Sequence, residues 1–291
     1  MAMRPVYEVK ENIPFFTAVN VEFEWNGGFA KTQKQKNIRA LHENYRERRS
    51  DKKVLEISSK SLQEGGEALS AFFLPKYVPE LDKSVPVECV FQSGKTFMNG
   101  GPYKDHLCAT PREAKKDERL KTSGRLKCFM FDGKEYPLIP KTIFYDYIYI
   151  NALLENEKLA EIALQYDAFT DIEFNPEKSL NCQAKACATF VALSRLGLLS
   201  QAKGFDSFLA LYDLEIPKKA KETKKVSLVE MERTEPTNVN IQVGAIIRHK
   251  KFGDGVIKKI DSKVLVAHFP EVGEKNLGMN WCVRNCEIIK N

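Results

Sequence analysis

The chain has 291 residues, 43% of them hydrophobic and 10% aromatic, and a net charge of +6. Such a composition is globular rather than disordered, and the length accommodates one sizeable core plus a smaller module. No apolar run nears the roughly 20 residues that span a bilayer, and "MAMRPVYEVKENIPFF" lacks the apolar stretch of a secretory signal, so a cytoplasmic protein with no membrane partner is expected.

In chain order, "NVEFEWNGGF" (20–29) alternates around Phe23 and Trp25 and ends in Gly27-Gly28, the pattern of a strand and turn. Residues 31–49 carry seven Lys or Arg against two Glu, while Ile38, Leu41 and Tyr45 recur at helical spacing. That spacing predicts a docked helix with a basic outer face. Such faces are commonly just solvated, but with a polyanionic substrate they make phosphate contacts, for which Lys34, Lys36 and Arg39 are the candidates. "KVLEISS" (53–59) reads as a second strand, followed by Lys60, which suits a site lysine or a solvated loop charge. "SLQEGGEALSAFFL" then predicts a loop running into an extended segment, with Ser70 at a strand edge. Its Gly65-Gly66 suits a plain turn or an approach of backbone amides to phosphate.

"VECVFQSGKTF" (87–97) predicts a helix on which Glu88, Gln92 and Lys95 fall within about 60° of one another. Val87, Val90, Phe91, Gly94 and Phe97 surround that stripe, as on a buried helix. The polar line then faces a cavity, a partner or a ligand; a surface edge with an i, i+7 charge pair is the alternative. "NGGPY" (99–103) breaks the chain. "ATPREAKKDERL" restarts it with Thr110 as N-cap, Pro111 at the first helical position and Glu113 closing a capping box. "LKCFMFDGKEYPLI" (126–139) alternates on either side of Asp132-Gly133 and predicts a hairpin.

Helices are expected over most of 141–213, with breaks near Asn156 and between Tyr166 and Pro176 and a stop near Gly197. In the second break, an extended approach puts Asp171 and Glu173 on one face. A further helix is expected from Asn175-Pro176, with Asn175 as its N-cap and free amides that suit a phosphate or ribose. The lysine-rich stretch 216–238 reads as a linker, and the short strand-like runs beyond it as a small β-barrel. The expected fold is α+β: a mainly helical core with small strands (1–215), the linker, and an SH3- or Tudor-like barrel (239–291).

Seven cysteines form no paired framework, and Cys282 and Cys286 lack the further ligands of a zinc site. There is no P-loop, dinucleotide fingerprint or paired-histidine motif, which argues against an NTPase, a Rossmann dehydrogenase and a zinc hydrolase. No metal or cofactor is expected. Histidines at 42, 106, 249 and 268 leave a triad open, but no nucleophile elbow supports one. What remains is a lysine and carboxylate site, suited to glycosidic carbon: the carboxylate handles protons and the amine can form a Schiff base with an opened sugar.

"ALSAFF", "VECVFQSGKTF", "ATPREAKKDER", "FTDIEF" and "KSLNCQA" occur in the order of the motifs of NADAR proteins, which the chain resembles over about residues 53–200. NADAR proteins act on N-glycosidic bonds of ADP-ribose-like or ribosyl-amine substrates. The phrases "EISSKS", "AKKDERL" and "YDAFTDIEFNPEKS" look closest to the antitoxin branch paired with toxins that ADP-ribosylate guanine in DNA. By this resemblance Glu88, Gln92 and Lys95 match the family's helix, Ser70 its strand serine, Arg119 an arginine after the cap, Asp171 its acidic position and Asn181 its late asparagine. The resemblance thus implies Lys95, Glu88 and Asp171 as catalytic residues, with Ser70, Gln92, Arg119 and Asn181, joined by Glu173 and Lys60, as substrate contacts. Ala71 and Cys89 stand where the wider family has Asn and His, and its Trp-Gly is absent, which implies a remodelled base pocket rather than a riboflavin-pathway substrate.

The function so implied is a hydrolase that removes ADP-ribose from guanine in DNA and neutralises a cognate ADP-ribosyltransferase toxin. The alternatives are a hydrolase of a free ribosyl-amine metabolite and a non-catalytic adaptor that binds ADP-ribose or nucleic acid. The C-terminal stretch is similar to the Tudor-like barrel of UvrD-type helicases, which implies contact with RNA polymerase or nucleic acid, or else a passive stabilising barrel.

Overall fold

Strands β1 (Ala2–Val9) and β2 (Phe16–Phe23), the second with Val19, Val21 and Phe23 alternating with polar residues, pair antiparallel from Ala2 opposite Phe23 to Val9 opposite Phe16. The sequence pattern predicted the second strand but not the first. The computed structural model describes residues 1–177, 179–213, 242–249, 252–260, 264–278 and 286–290. It divides into two compact units, Met1–Lys219 and Ala220–Asn291. The expected linker lies outside the described residues.

Helix α1 (Lys31–Arg48) covers one face of the first sheet, as its spacing predicts. Its Ile38, Leu41 and Tyr45 pack with Val6, Val21, Phe23, Val54 and Ala168. Strand β3 (Val54–Glu56) completes that sheet in the order β2-β1-β9-β3, where β9 is Ala168–Thr170. Because side chains alternate along a strand, Tyr7, Leu55 and Phe169, each next to a residue of the α1 cluster, enter the larger core on the opposite face.

That larger core is built from the segment between β3 and β9 and from the helices C-terminal to β9. Residues 64–68, expected as loop, form a short helix, α2 (Glu64–Ala68). Its Gly66 is required by contact rather than by phosphate: an added Cβ would lie 2.1 Å from the Glu56 carbonyl oxygen. Ser70 lies in the turn after α2 and not at a strand edge. The hairpin of β4 (Pro75–Val78) and β5 (Lys83–Pro86) leads into α3 (Val87–Gly94), every residue of which is buried.

Helix α3 ends earlier than its pattern predicts. Lys95 is extended and opens β6 (Lys95–Phe97), because β7 (Leu126–Phe131) pairs with 95–97 and closes α3 against Met130. An added Cβ on Gly94 would lie 2.7 Å from the Met130 carbonyl oxygen. Between β6 and β7 lie α4 (Pro111–Lys116), with the predicted Thr110–Glu113 capping box formed, and α5 (Arg119–Thr122). The predicted hairpin turns at Asp132-Gly133 into β8 (Lys134–Tyr136), with both turn residues at positive φ, the twist-matched geometry for a two-residue loop.

Helices α6 (Ile143–Leu154) and α7 (Glu157–Leu164) break at Asn156 as expected. The helix expected from Asn175-Pro176 instead starts at Gln183, as α8 (Gln183–Arg195), and α9 (Phe205–Ala210) comes after it. Asn175 caps only a turn, its Oδ1 accepting from Glu177 N at 3.0 Å. Cys89, Cys108, Cys128, Cys182 and Cys187 are free, and all of these but Cys108 are buried. Among the described residues no helix is long and apolar enough to cross a membrane.

The second unit is an antiparallel sheet of β10 (Ile246–His249), β11 (Gly253–Ile260), β12 (Val264–Phe269), β13 (Gly273–Gly278) and β14 (Cys286–Lys290), in the order β13-β12-β11-β10-β14. Ile247, Ile257, Leu265, Ala267 and Phe269 form its core. Among the described residues the sheet stays open at β13 and β14, so the expected closed barrel is not formed by them.

Candidate active site

Two carboxylates from distant parts of the chain, Glu88 and Asp171, come within electrostatic reach of one lysine, Lys115. The first comes with α3, where Gln92 Nε2 donates to Glu88 Oε1 at 2.8 Å, an i, i+4 bond that the helix alone provides. This bond orients the amide. Gln92 Oε1 is buried and has no hydrogen-bond partner among the described residues, a state that is unfavourable until a donor arrives.

Lys95 joins this pair from the helix C-cap rather than from the helix itself. Its Nζ sits 4.8 Å from the Phe91 ring centroid. Burial pulls its pKa down to about 8, against the opposing pull of Glu88 and with a further push from Lys115. Lys115, on α4, reaches Glu88 Oε1 at 3.6 Å and lies over the Phe72 ring. Sequence reasoning missed Lys115 as a site residue, although it sits inside the "AKKDER" phrase that carries the resemblance.

The second carboxylate comes from the sheet. Strands β3 and β9 run parallel with Glu56 opposite Thr170, and Ile57 N donates to Thr170 O at 2.8 Å. Their carboxyl ends therefore coincide, which in open sheets is where ligands gather. Asp171 comes directly after β9. Its Oδ1 accepts from Glu173 N and its Oδ2 from Gln183 Nε2, both at 3.0 Å.

Gln183 connects the two halves, and nothing in the sequence marked it apart from its place in "KSLNCQA". Its Nε2 also donates to Ile57 O at 2.6 Å, and its Oε1 accepts from Ala71 N at 2.7 Å. The Ala71 carbonyl in turn accepts from Glu88 N at 2.9 Å. One turn thus fixes the start of α3 relative to the strand ends, and Ser70 in that turn contacts Gln183 Oε1 at 3.5 Å.

Burial raises the pKa of Asp171, and the neighbouring Glu56 carboxyl raises it further. Glu56, also missed by sequence reasoning, is itself raised by burial while accepting from Thr170 Oγ1 at 2.6 Å and Ile172 N at 2.8 Å. Tyr145, on α6, packs edge-on against Phe91. Burial first, then the charges of Glu88, Cys182 and Asp171, hold its phenol well above the usual range. Lys115 relates the two carboxylates, since it lies 3.6 Å from Glu88 Oε1 and its charge also acts on Asp171. The hollow lined by Val78, Ser93, Pro102, Leu107, Met130 and Phe131 shares none of these groups.

The remaining candidates lie apart from this cluster or are already engaged. Glu173 does not share a face with Asp171: it turns outward and pairs with Lys34 at 3.2 Å. Lys34 is therefore not a free cation, and its Nζ also lies 5.2 Å from the Trp25 ring centroid. Lys36 and Arg39 are both exposed on the outer side of α1. Arg119 donates to Asp117 and Asp105 and stacks over Tyr103 at 4.4 Å. Its guanidinium fills the cluster of Asp105, His106 and Asp117 that could otherwise hold a cation. Lys60 Nζ donates to Ser59 Oγ at 3.1 Å. Asn181 is half-buried beside Cys182, and its carbonyl accepts from Ser179 Oγ at 3.3 Å.

A half-buried amine of lowered pKa that feels the Glu88 carboxylate, in the same core as a second carboxyl of raised pKa, equips an α+β core for covalent or acid–base chemistry at a carbonyl or anomeric carbon. The chain belongs to the DarT1-associated NADAR antitoxin family, whose model matches residues 2–223. That match spans the whole candidate site and gives the chain an antitoxin role with a cognate toxin. No curated protein matches it.

Proposed function

We propose that the chain hydrolyses the N-glycosidic bond between ADP-ribose and a guanine base in DNA, and that this reversal is its antitoxin activity. The observation that carries the reading is the Lys95 amine, held near a pKa of about 8 beside Glu88 within a family of antitoxins. With its sugar ring open, ADP-ribose on an exocyclic base amine is an imine at the anomeric carbon. Neutral Lys95 adds to that carbon, a proton passes to the base nitrogen, and the carbon–nitrogen bond to guanine breaks with its electron pair leaving on the base amine. Water then adds to the lysine imine, the bond to Nζ breaks, and ADP-ribose leaves as the aldehyde, which recloses.

In this scheme Glu88 shuttles the protons, held in place by Gln92 and Lys115. Asp171, protonated more readily than an ordinary carboxyl, supplies the second acid. Gln92 Oε1 accepts a hydrogen bond from a substrate hydroxyl. The C-terminal sheet serves DNA or RNA polymerase engagement rather than bond cleavage.

The test is incubation with an oligonucleotide carrying ADP-ribosyl-guanine, with and without borohydride, and mass analysis of the products. Intact guanine, free ADP-ribose and a reduced adduct on Lys95 are expected. Glu88→Gln should slow release by about 10²-fold or more, on the order of a lost general acid–base group. An abasic site or phosphoribose left on the base would refute the reaction, and release without a trappable adduct would refute the role of Lys95.

A further inference from the structure

The outward stripe of α1 carries Arg39, Glu43 and Arg46, at i, i+4 and i+7. These three residues border a hollow of about 110 Å³ whose other walls include Glu56, Ser61 and Gln63. Three of the seven basic side chains in 31–49 are committed: Lys31 pairs with Glu67, Lys34 with Glu173 and Arg49 with Glu8. Arg39 and Arg46 are exposed, and neither guanidinium has a hydrogen-bond or ion-pair partner among the described residues. About 10.5 Å of helix axis separates the two, a span that two extended arginine side chains can close from either side of one phosphate. The opposite wall supports such a ligand. Gln63 Oε1 accepts from Tyr166 Oη at 3.2 Å, which leaves its NH₂ as a donor, while the Glu56 oxygens are occupied by Thr170 and Ile172.

We propose that Arg39 and Arg46 form a notch that grips a backbone phosphate of the DNA. The inference rests on DNA being the substrate and names where the duplex is held. Glu56 relates the notch to the chemistry, since it lines the hollow and its carboxyl acts on Asp171 at the adjoining strand end. A phosphate in the notch would therefore set the register of the duplex against the strand ends that carry Asp171.

The experiment measures binding of the full chain to labelled, unmodified duplex DNA between about 50 and 200 mM salt, with free ADP-ribose binding alongside. Each phosphate contact contributes about 0.9 to the logarithmic salt slope. Because both arginines hold one phosphate, the R39Q/R46Q variant should lose about 0.9 from that slope, so that wild-type affinity falls about 3.5-fold more than the variant's across the range. The K134Q/K158Q variant, which removes the same charge at exposed positions elsewhere, should keep the wild-type slope. Thermal melting confirms that each variant is folded. The notch is overturned if R39Q/R46Q keeps the full slope, if the control loses as much, or if free ADP-ribose binding falls in parallel, which would place the sugar diphosphate there instead. A wild type with no salt-dependent DNA binding would sink the DNA substrate itself, and the notch with it.

Discussion

Replacing Lys95 with methionine tests the site through stability as well as activity. Depressing the Lys95 pKa from 10.5 to about 8 means that the fold disfavours the charged amine by roughly 3 kcal/mol. The amine is protonated in both the folded and unfolded chain below pH 8, so there the whole penalty applies. Between pH 8 and about 10.5 the unfolded chain binds the extra proton, so stability rises with pH, and above that range the penalty is gone. Glu88 retains Gln92 and Lys115 after the substitution, so no buried charge is orphaned. Lys95→Met should therefore be inactive yet more stable than wild type at pH 7, by up to about 3 kcal/mol. The difference should shrink steadily toward pH 10. Urea unfolding of both proteins at pH 7, 8, 9 and 10 measures it. Single-turnover release by wild type should pass through a maximum near pH 8, rising as the neutral amine accumulates and falling as Asp171, raised to about 8, loses the proton it supplies. A variant less stable than wild type at pH 7, or a difference that does not move with pH, would refute the buried, weakened amine.

Gln183→Leu should lower stability by about 3 kcal/mol, because it leaves the buried Ala71 N–H and Ile57 carbonyl unsatisfied. It should also lower single-turnover rate by releasing Asp171; normal turnover in the folded variant would count against its positioning role. Gly66→Ala should cost about 2 kcal/mol in denaturant unfolding, since its Cβ would meet the Glu56 carbonyl; an unchanged midpoint would contradict that contact. Thr110→Ala should cost about 1 kcal/mol through loss of the capping box, with Thr110→Ser restoring most of it.

The features legible in the sequence are those that a few neighbouring residues decide. The capping box at Thr110 and Glu113, the positive-φ turn at Asp132-Gly133 and the buried face of α1 each rest on bonds or contacts set by local spacing. The Glu88–Gln92 hydrogen bond belongs with them, since helical periodicity alone places the two side chains one turn apart. Periodicity could not show where that helix stops, because pairing of 95–97 with β7, some thirty residues later, draws Lys95 out of it. Nor could it separate Asp171 from Glu173: both follow β9, but one is held by the Gln183 amide and the other is drawn outward by Lys34.

The sequence by itself determined the chemical inventory, an amine and two carboxylates within recognisable phrases, because side-chain chemistry is carried residue by residue. Only the tertiary structure decided which of those groups meet. The parallel pairing of β3 and β9 sets Glu56 opposite Thr170, and Gln183 ties that strand end to Ala71 and so to Glu88. Burial then shifts Lys95 and Asp171 toward each other in proton affinity. Desolvation depends on everything packed around a group, and those neighbours come from segments more than a hundred residues apart in the chain, so no local window of sequence contains it.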